Sequence, residues 1–133
     1  HIPECDYARA VMTVAAHKAE VIAALRDRYL AGDRAYLKAV ADREIPLLLI
    51  EIDILTRLHR DVWRRDFKRN GWEMMALRYG AIAGRLRDVA DALRDYLSGA
   101  IPVLDELEET PMDSTRKAGM QYYQVYVSPS FSL

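Results

Sequence analysis

The sequence predicts an all-α fold, an antiparallel bundle of about four to five helices with an extended C-terminal tail, and three observations carry that prediction. Apolar residues recur at spacings of three and four through the first hundred positions, which is the period of helices that bury one stripe. Gly32 and Gly99 stand where such stripes stop, as glycine does at a left-handed helix terminus. Asn70-Gly71 leaves room only for a short turn, so the helix that follows must run back against the one before it.

Each element follows from local chemistry. Val11, Val14, Ala15, Val21, Ile22, Leu25 and Tyr29 share one stripe of a first helix over about residues 6–31. Asp33 suits the N-cap of a second, short helix over 34–43, with Tyr36, Leu37, Val40 and Ala41 inward. Pro46 fits the first turn of a third helix over 45–67, where its missing N–H costs nothing. That helix is apolar over much of its circumference through Leu47, Leu48, Leu49, Ile52, Ile54, Leu55, Leu58, Val62 and Trp63. It is expected to be central and the most buried. From Trp72, Met75, Tyr79, Ile82, Leu86, Val89, Leu93 and Leu97 repeat in a three-four alternation close to a heptad. Pro102 then allows a last short helix over 103–109, whose acids form a solvated face. The segment GMQYYQVYVSPSFSL reads as extended and β-prone. A helical domain over 1–112 and a tyrosine-rich tail over 113–133, lying on the bundle or on a partner, are the expected division.

Composition narrows the function. A chain of 133 residues fits one domain, and a formal net charge of −1 argues against general affinity for nucleic acid or an anionic membrane. The longest strongly apolar run, residues 45–50, is too short to span a bilayer, and no signal segment opens the sequence. A soluble protein is expected, with the compartment left open and the cytoplasm as default. The single cysteine, Cys5, cannot close an internal disulfide and has no basic neighbour before Arg9. The start at His1 suggests a processed product, an excised fragment or a cloning remnant.

No residue pattern marks a reaction. Asp53, Asp61 and Glu51 do not give His59 the Glu-x-x-His spacing of a metal site on helices. His59 therefore reads as a hydrogen-bonded core histidine, and no metal or cofactor is expected. Glu51 falls inside the apolar arc of the third helix, where an ionised carboxylate needs a partner. Arg78, at the edge of the fourth stripe beside Ile82 and Val89, is the expected one. Residues 57–69 carry six basic residues against two acids, a run that could bind phosphates but equally suits a helix C-terminus. Trp63 and Trp72 flank the turn on apolar stripes, which favours core packing over stacking on a sugar or base. The serines of the tail lie outside any Gly-x-Ser-x-Gly context.

A resemblance adds a context. Residues 62–86 resemble, without gaps, a segment near the C-terminus of bacterial β-N-acetylhexosaminidase-like enzymes of glycoside hydrolase family 20, through Trp63, Arg65, Lys68, Gly71, Glu73, Arg78, Gly80, Arg85 and Leu86. The stretches RDRYLAGDRAYLKAVADREIPLLL and LRDYLSGAIPVLDELEE are similar to the helices on either side, so the likeness covers about residues 17–112. Phe67, Arg69 and Ala76 stand where that pattern has asparagine, proline and aspartate, which puts in doubt any contact those three make with the catalytic barrel. The resemblance implies a parent whose catalysis belongs to a (β/α)-barrel, with an Asp-Glu pair that assists attack by the substrate's own acetamido group. Nothing here matches that pair, and a barrel needs about 200 residues or more. The implied role is a non-catalytic accessory domain that supports the barrel of the same enzyme or an oligomer contact. A free-standing interaction module, homodimeric through the fourth helix or the tail, is the alternative. Trp63, Gly71, Trp72, Glu51, Arg78, Tyr79 and Gly80 are the structural or interface candidates, and no catalytic residue is assigned.

Overall fold

A computed structural model describes residues 3–109. Every regular element among them is helical: α1 (Pro3–Leu30), α2 (Arg34–Ala39), a π-helical turn (Val40–Glu44), α3 (Ile45–Asp66), α4 (Trp72–Ser98) and α5 (Asp105–Glu108). The all-α bundle expected from periodicity is the observed one. The tail over 113–133 lies outside the described residues.

Local chemistry sets the ends of the helices. Glu4 and Asp6 occupy the first turn of α1 and Arg28 its last, each on the side the helix dipole favours. Gly32 closes α1 at φ 72°. Its N–H donates to the Tyr29 carbonyl at 2.9 Å, and the Asp33 N–H donates to that of Arg28 at 2.9 Å, the paired bonds of a Schellman end. Asp33 then accepts the Tyr36 N–H at 3.0 Å and starts α2. Gly99, at φ 82°, ends α4 in the same way.

α3 lies between α1 and α4, and both neighbours run antiparallel to it. Glu4 pairs with Arg65, and Tyr7 stacks on His59, while His17 reaches Glu44 and Glu51 further along. On the other flank Trp72 meets Trp63 and Tyr79 meets His59, and Arg94 reaches Ala41. The core sits where these helices converge, with Leu37, Val40, Ile45, Leu48 and Leu93 fully buried. Tyr29 fastens the last segment to α1: its hydroxyl donates to Glu108 at 2.7 Å and accepts the Leu104 N–H at 3.1 Å.

Two features depart from the expected picture. The second helix does not stop before the third. It runs through the π turn into α3 with helical dihedrals at every junction. Pro46 accounts for this, because its ring would crowd the carbonyl four residues back and it offers that carbonyl no N–H. The chain widens by one residue instead, so that the Ile45 N–H bonds to the Val40 carbonyl. The Ala41 carbonyl, released from its normal partner, accepts Arg94 Nη2 from α4 at 2.7 Å. Arg94 Nε also donates to Asp42 at 3.1 Å. The second departure is that α3 is central without being covered all round, since Leu47, Ile50 and Ile54 remain substantially exposed on one side.

Removing the Arg94 guanidinium leaves the Ala41 carbonyl without its protein partner. Arg94→Ala is expected to cost about 1 kcal/mol in denaturant unfolding. In a Pro46→Ala background, where residue 46 regains its N–H and α3 can continue as a regular helix, the same change is expected to cost clearly less. Equal costs in the two backgrounds would show that Arg94 does not serve the π turn. Tyr29→Phe removes both hydroxyl bonds and is expected to cost about 1–2 kcal/mol, with faster amide exchange at Leu104.

Candidate functional site

Of the residues singled out in the sequence, Trp63, Gly71, Trp72 and Tyr79 come together at the end of the bundle where α3 turns into α4, whereas Glu51, Arg78 and Gly80 lie apart from it. His59, half-buried on α3, is the centre. Tyr7 of α1 stacks on its ring at 4.7 Å and 27°. Trp72 and Tyr79 of α4 meet it edge-on at 5.4 and 5.8 Å, and Trp63 of its own helix at 5.9 Å. His59 Nδ1 lies 2.8 Å from the Tyr79 hydroxyl, a bond that either tautomer satisfies. Burial lowers the His59 pKa and raises that of Tyr79 to about 12, so both rings are neutral near neutral pH. His59 is thus the hydrogen-bonded histidine expected from periodicity, surrounded by aromatics from three helices.

The turn is built around Trp63. Its indole N–H donates to the Lys68 carbonyl at 3.1 Å, and Phe67 packs on its ring at 5.0 Å. Gly71 holds φ 94°, and a Cβ there would meet Trp63 Cζ2 at 3.3 Å. Both the left-handed backbone and the close ring call for glycine. Gly71 donates its N–H to Glu73 at 3.0 Å, which places a carboxylate at the start of α4. Arg60, Trp63, Arg64, Arg69 and Trp72 line a recess of about 90 Å³ beside this turn.

Glu51 has a different partner from the one expected. Its Oε2 lies 2.8 Å from His17 Nδ1, while His17 Nε2 lies 3.2 Å from Glu44 Oε2. Arg78 is exposed on α4 and makes no ion pair with Glu51. The reason is azimuth, since Glu51 lies on the side of α3 that meets α1, and Arg78 lies beyond the opposite flank. The missed signal was His17 itself, a polar residue set between Val14 and Val21 of the first stripe just as Glu51 is set in the third. The His17 side chain is only 14% exposed. Burial works against its charge, but the hydrogen bonds to Glu51 and Glu44 prevail and raise its pKa. The Arg43 guanidinium, more than His17, holds the Glu44 carboxyl below its usual range. The two carboxylates address opposite edges of the imidazole, so they clamp a cation and do not converge on one ion. Among the described residues no group of three His, Cys, Asp or Glu side chains has metal-binding geometry.

Gly80 is exposed on α4, and a Cβ there would meet nothing within 4 Å, so packing inside the domain does not require glycine. None of these side chains forms a nucleophile–base pair: His59 is engaged by a tyrosine and His17 by two carboxylates, while Cys5 is exposed. No helix among the described residues is long and apolar enough to cross a membrane. The arrangement joins helices and presents aromatic and basic side chains at one end.

Comparison with known families gives a single finding. The family model described as the glycoside hydrolase 20C C-terminal domain matches residues 5–126. No curated protein and no solved structure matches the chain.

Two consequences of the geometry are measurable. Folding raises the His17 pKa, so the clamp's contribution is complete below the unfolded value of about 6.5 and is lost as pH rises through the folded one. His59 acts in the opposite sense, since its lowered pKa makes the fold lose stability as pH falls below the unfolded value of about 6.5. The wild type is therefore expected to exceed His17→Gln in stability by about 1 kcal/mol more at about pH 5.5 than at about pH 9, because solvent reaching the clamp screens part of the attraction. A pH-independent difference would show that His17 is not charged in the clamp. Gly71→Ala is expected to destabilise by about 1–2 kcal/mol from the backbone alone, with a change in tryptophan fluorescence as Trp63 shifts.

Proposed function

Since this chain belongs to the glycoside hydrolase 20C C-terminal domain family, we propose that it acts as a non-catalytic accessory domain that packs against the catalytic barrel of the same enzyme and supports it. The observation that favours this reading is the outer side of α3. Leu47, Ile50 and Ile54 stand 45%, 58% and 49% exposed on successive turns of the helix that is otherwise central. A row of large aliphatic side chains of that kind marks an interaction surface. It is cheaper to keep when a second domain covers it. A catalytic domain held by a flat apolar contact gains stability without any chemistry from the contact.

A second reading has its own support. Met74 and Leu77 are 52% and 67% exposed on the outward side of α4, next to Gly80 and its open surroundings. That strip suits a homodimer through α4, with two copies related by a two-fold axis.

The two readings separate in one experiment. In the intact enzyme, Ile50→Asp with Ile54→Asp is expected to lower the Tm of the catalytic domain and to open the junction to protease. In the helical domain alone, the same pair is expected to shift stability by only about 1 kcal/mol, because Ile50 and Ile54 are each about half exposed there. An unchanged catalytic Tm removes the barrel contact. Leu77→Asp that converts a dimer to a monomer by light scattering would favour the α4 reading instead. The purified chain is expected to release no N-acetylhexosamine from an aryl glycoside.

A further inference from the structure

The recess beside the α3–α4 turn has a charge pattern that the fold does not call for. Of the basic run over 57–69, Arg57 is paired with Asp53, and Arg65 with Asp66 and Glu4. Arg60, Arg64 and Arg69, the three cations that line the recess, form no ion pair with any described residue. Arg60 and Arg64 are one turn apart on α3 and repel each other. The helix dipole explains Arg64, which lies in the last turn of α3. It does not explain Arg69, which comes from the connecting turn, or why all three border one hollow.

Two neutral donors of the turn are already engaged. The Trp63 indole N–H is held by the Lys68 carbonyl and the Gly71 N–H by Glu73. The cationic groups that border the recess are the guanidinium groups of Arg60, Arg64 and Arg69, beside the rings of Trp63 and Trp72, so these are the groups that would hold an anion there. The recess, of about 90 Å³, is small enough to favour a single oxyanion over a larger ligand. We propose that it binds one phosphate group, either inorganic phosphate or the phosphate of a monoester. A dianion with four oxygens can engage three guanidinium forks at once. A lone carboxylate would leave most of that charge uncompensated. A nucleic acid would need a longer row of cations than one hollow supplies.

The only two tryptophans of the chain, Trp63 and Trp72, both line the recess, so intrinsic fluorescence reports on it directly. The chain is titrated with inorganic phosphate and separately with glycerol phosphate, at ionic strength held constant with sodium chloride. The expected result is a saturable change with at least one of the two. Saturation by inorganic phosphate alone assigns the site to the free ion, and saturation by glycerol phosphate assigns it to a monoester. Arg64→Gln with Arg69→Gln is expected to weaken binding at least roughly tenfold with an unchanged thermal midpoint, whereas Arg57→Gln, outside the recess, leaves it intact. No saturable change, a change that sodium chloride reproduces, or equal binding by the Arg64/Arg69 variant would overturn the proposal.

Discussion

The structure depends on α3 being buried along two flanks at once. A helix covered on one side only needs one apolar stripe, but α3 must present compatible surfaces to α1 and α4, which both run antiparallel to it. Its polar residues are sorted by that constraint. Glu51 faces α1, where His17 lies within hydrogen-bond distance of it, and a partly buried carboxylate without a partner there would be destabilising. His59 lies where all three helices meet and stays neutral, so a tyrosine hydroxyl and aromatic edges suffice for it. Folding thus shifts the two histidines in opposite directions, because one has carboxylates against it and the other has rings.

The same constraint accounts for the widened turn between α2 and α3. Pro46 could have ended one helix and begun another. A break there would have separated Val40 and Ala41, both buried, from Ile45 and Leu48 of the same core. The π turn keeps these residues in one cluster, and Arg94 from α4 satisfies the carbonyl that the widening releases. Packing between helices thereby decides a local backbone conformation that propensity leaves undecided.

Features encoded within a few residues were legible in the sequence. Gly32, Asp33 and Gly99 ended and began helices through caps whose chemistry needs no tertiary context. The Asn-Gly turn forced the α3–α4 hairpin, and the stripes placed Trp63, Trp72 and Tyr79 together. The need of Glu51 for a partner was legible, but its identity was not, because that depends on how α1 is rotated against α3. Pro46 misled for a related reason, since it is equally compatible with a helix start and with a π turn. Leu47 and Ile54 looked like core by composition, yet composition cannot say which part of an apolar circumference the neighbouring helices leave uncovered. Tyr7 entered the site through the same interhelical geometry.

The convergence of α1, α3 and α4 on His59 can be read directly from nuclear Overhauser contacts of its ring protons. Cross-peaks to Tyr7, Trp72 and Tyr79 are expected, with ring centroids 4.7, 5.4 and 5.8 Å away. A ring that shows contacts only within its own helix, to neighbours such as Leu55 and Trp63, would mean that α3 is not enclosed between its two antiparallel partners.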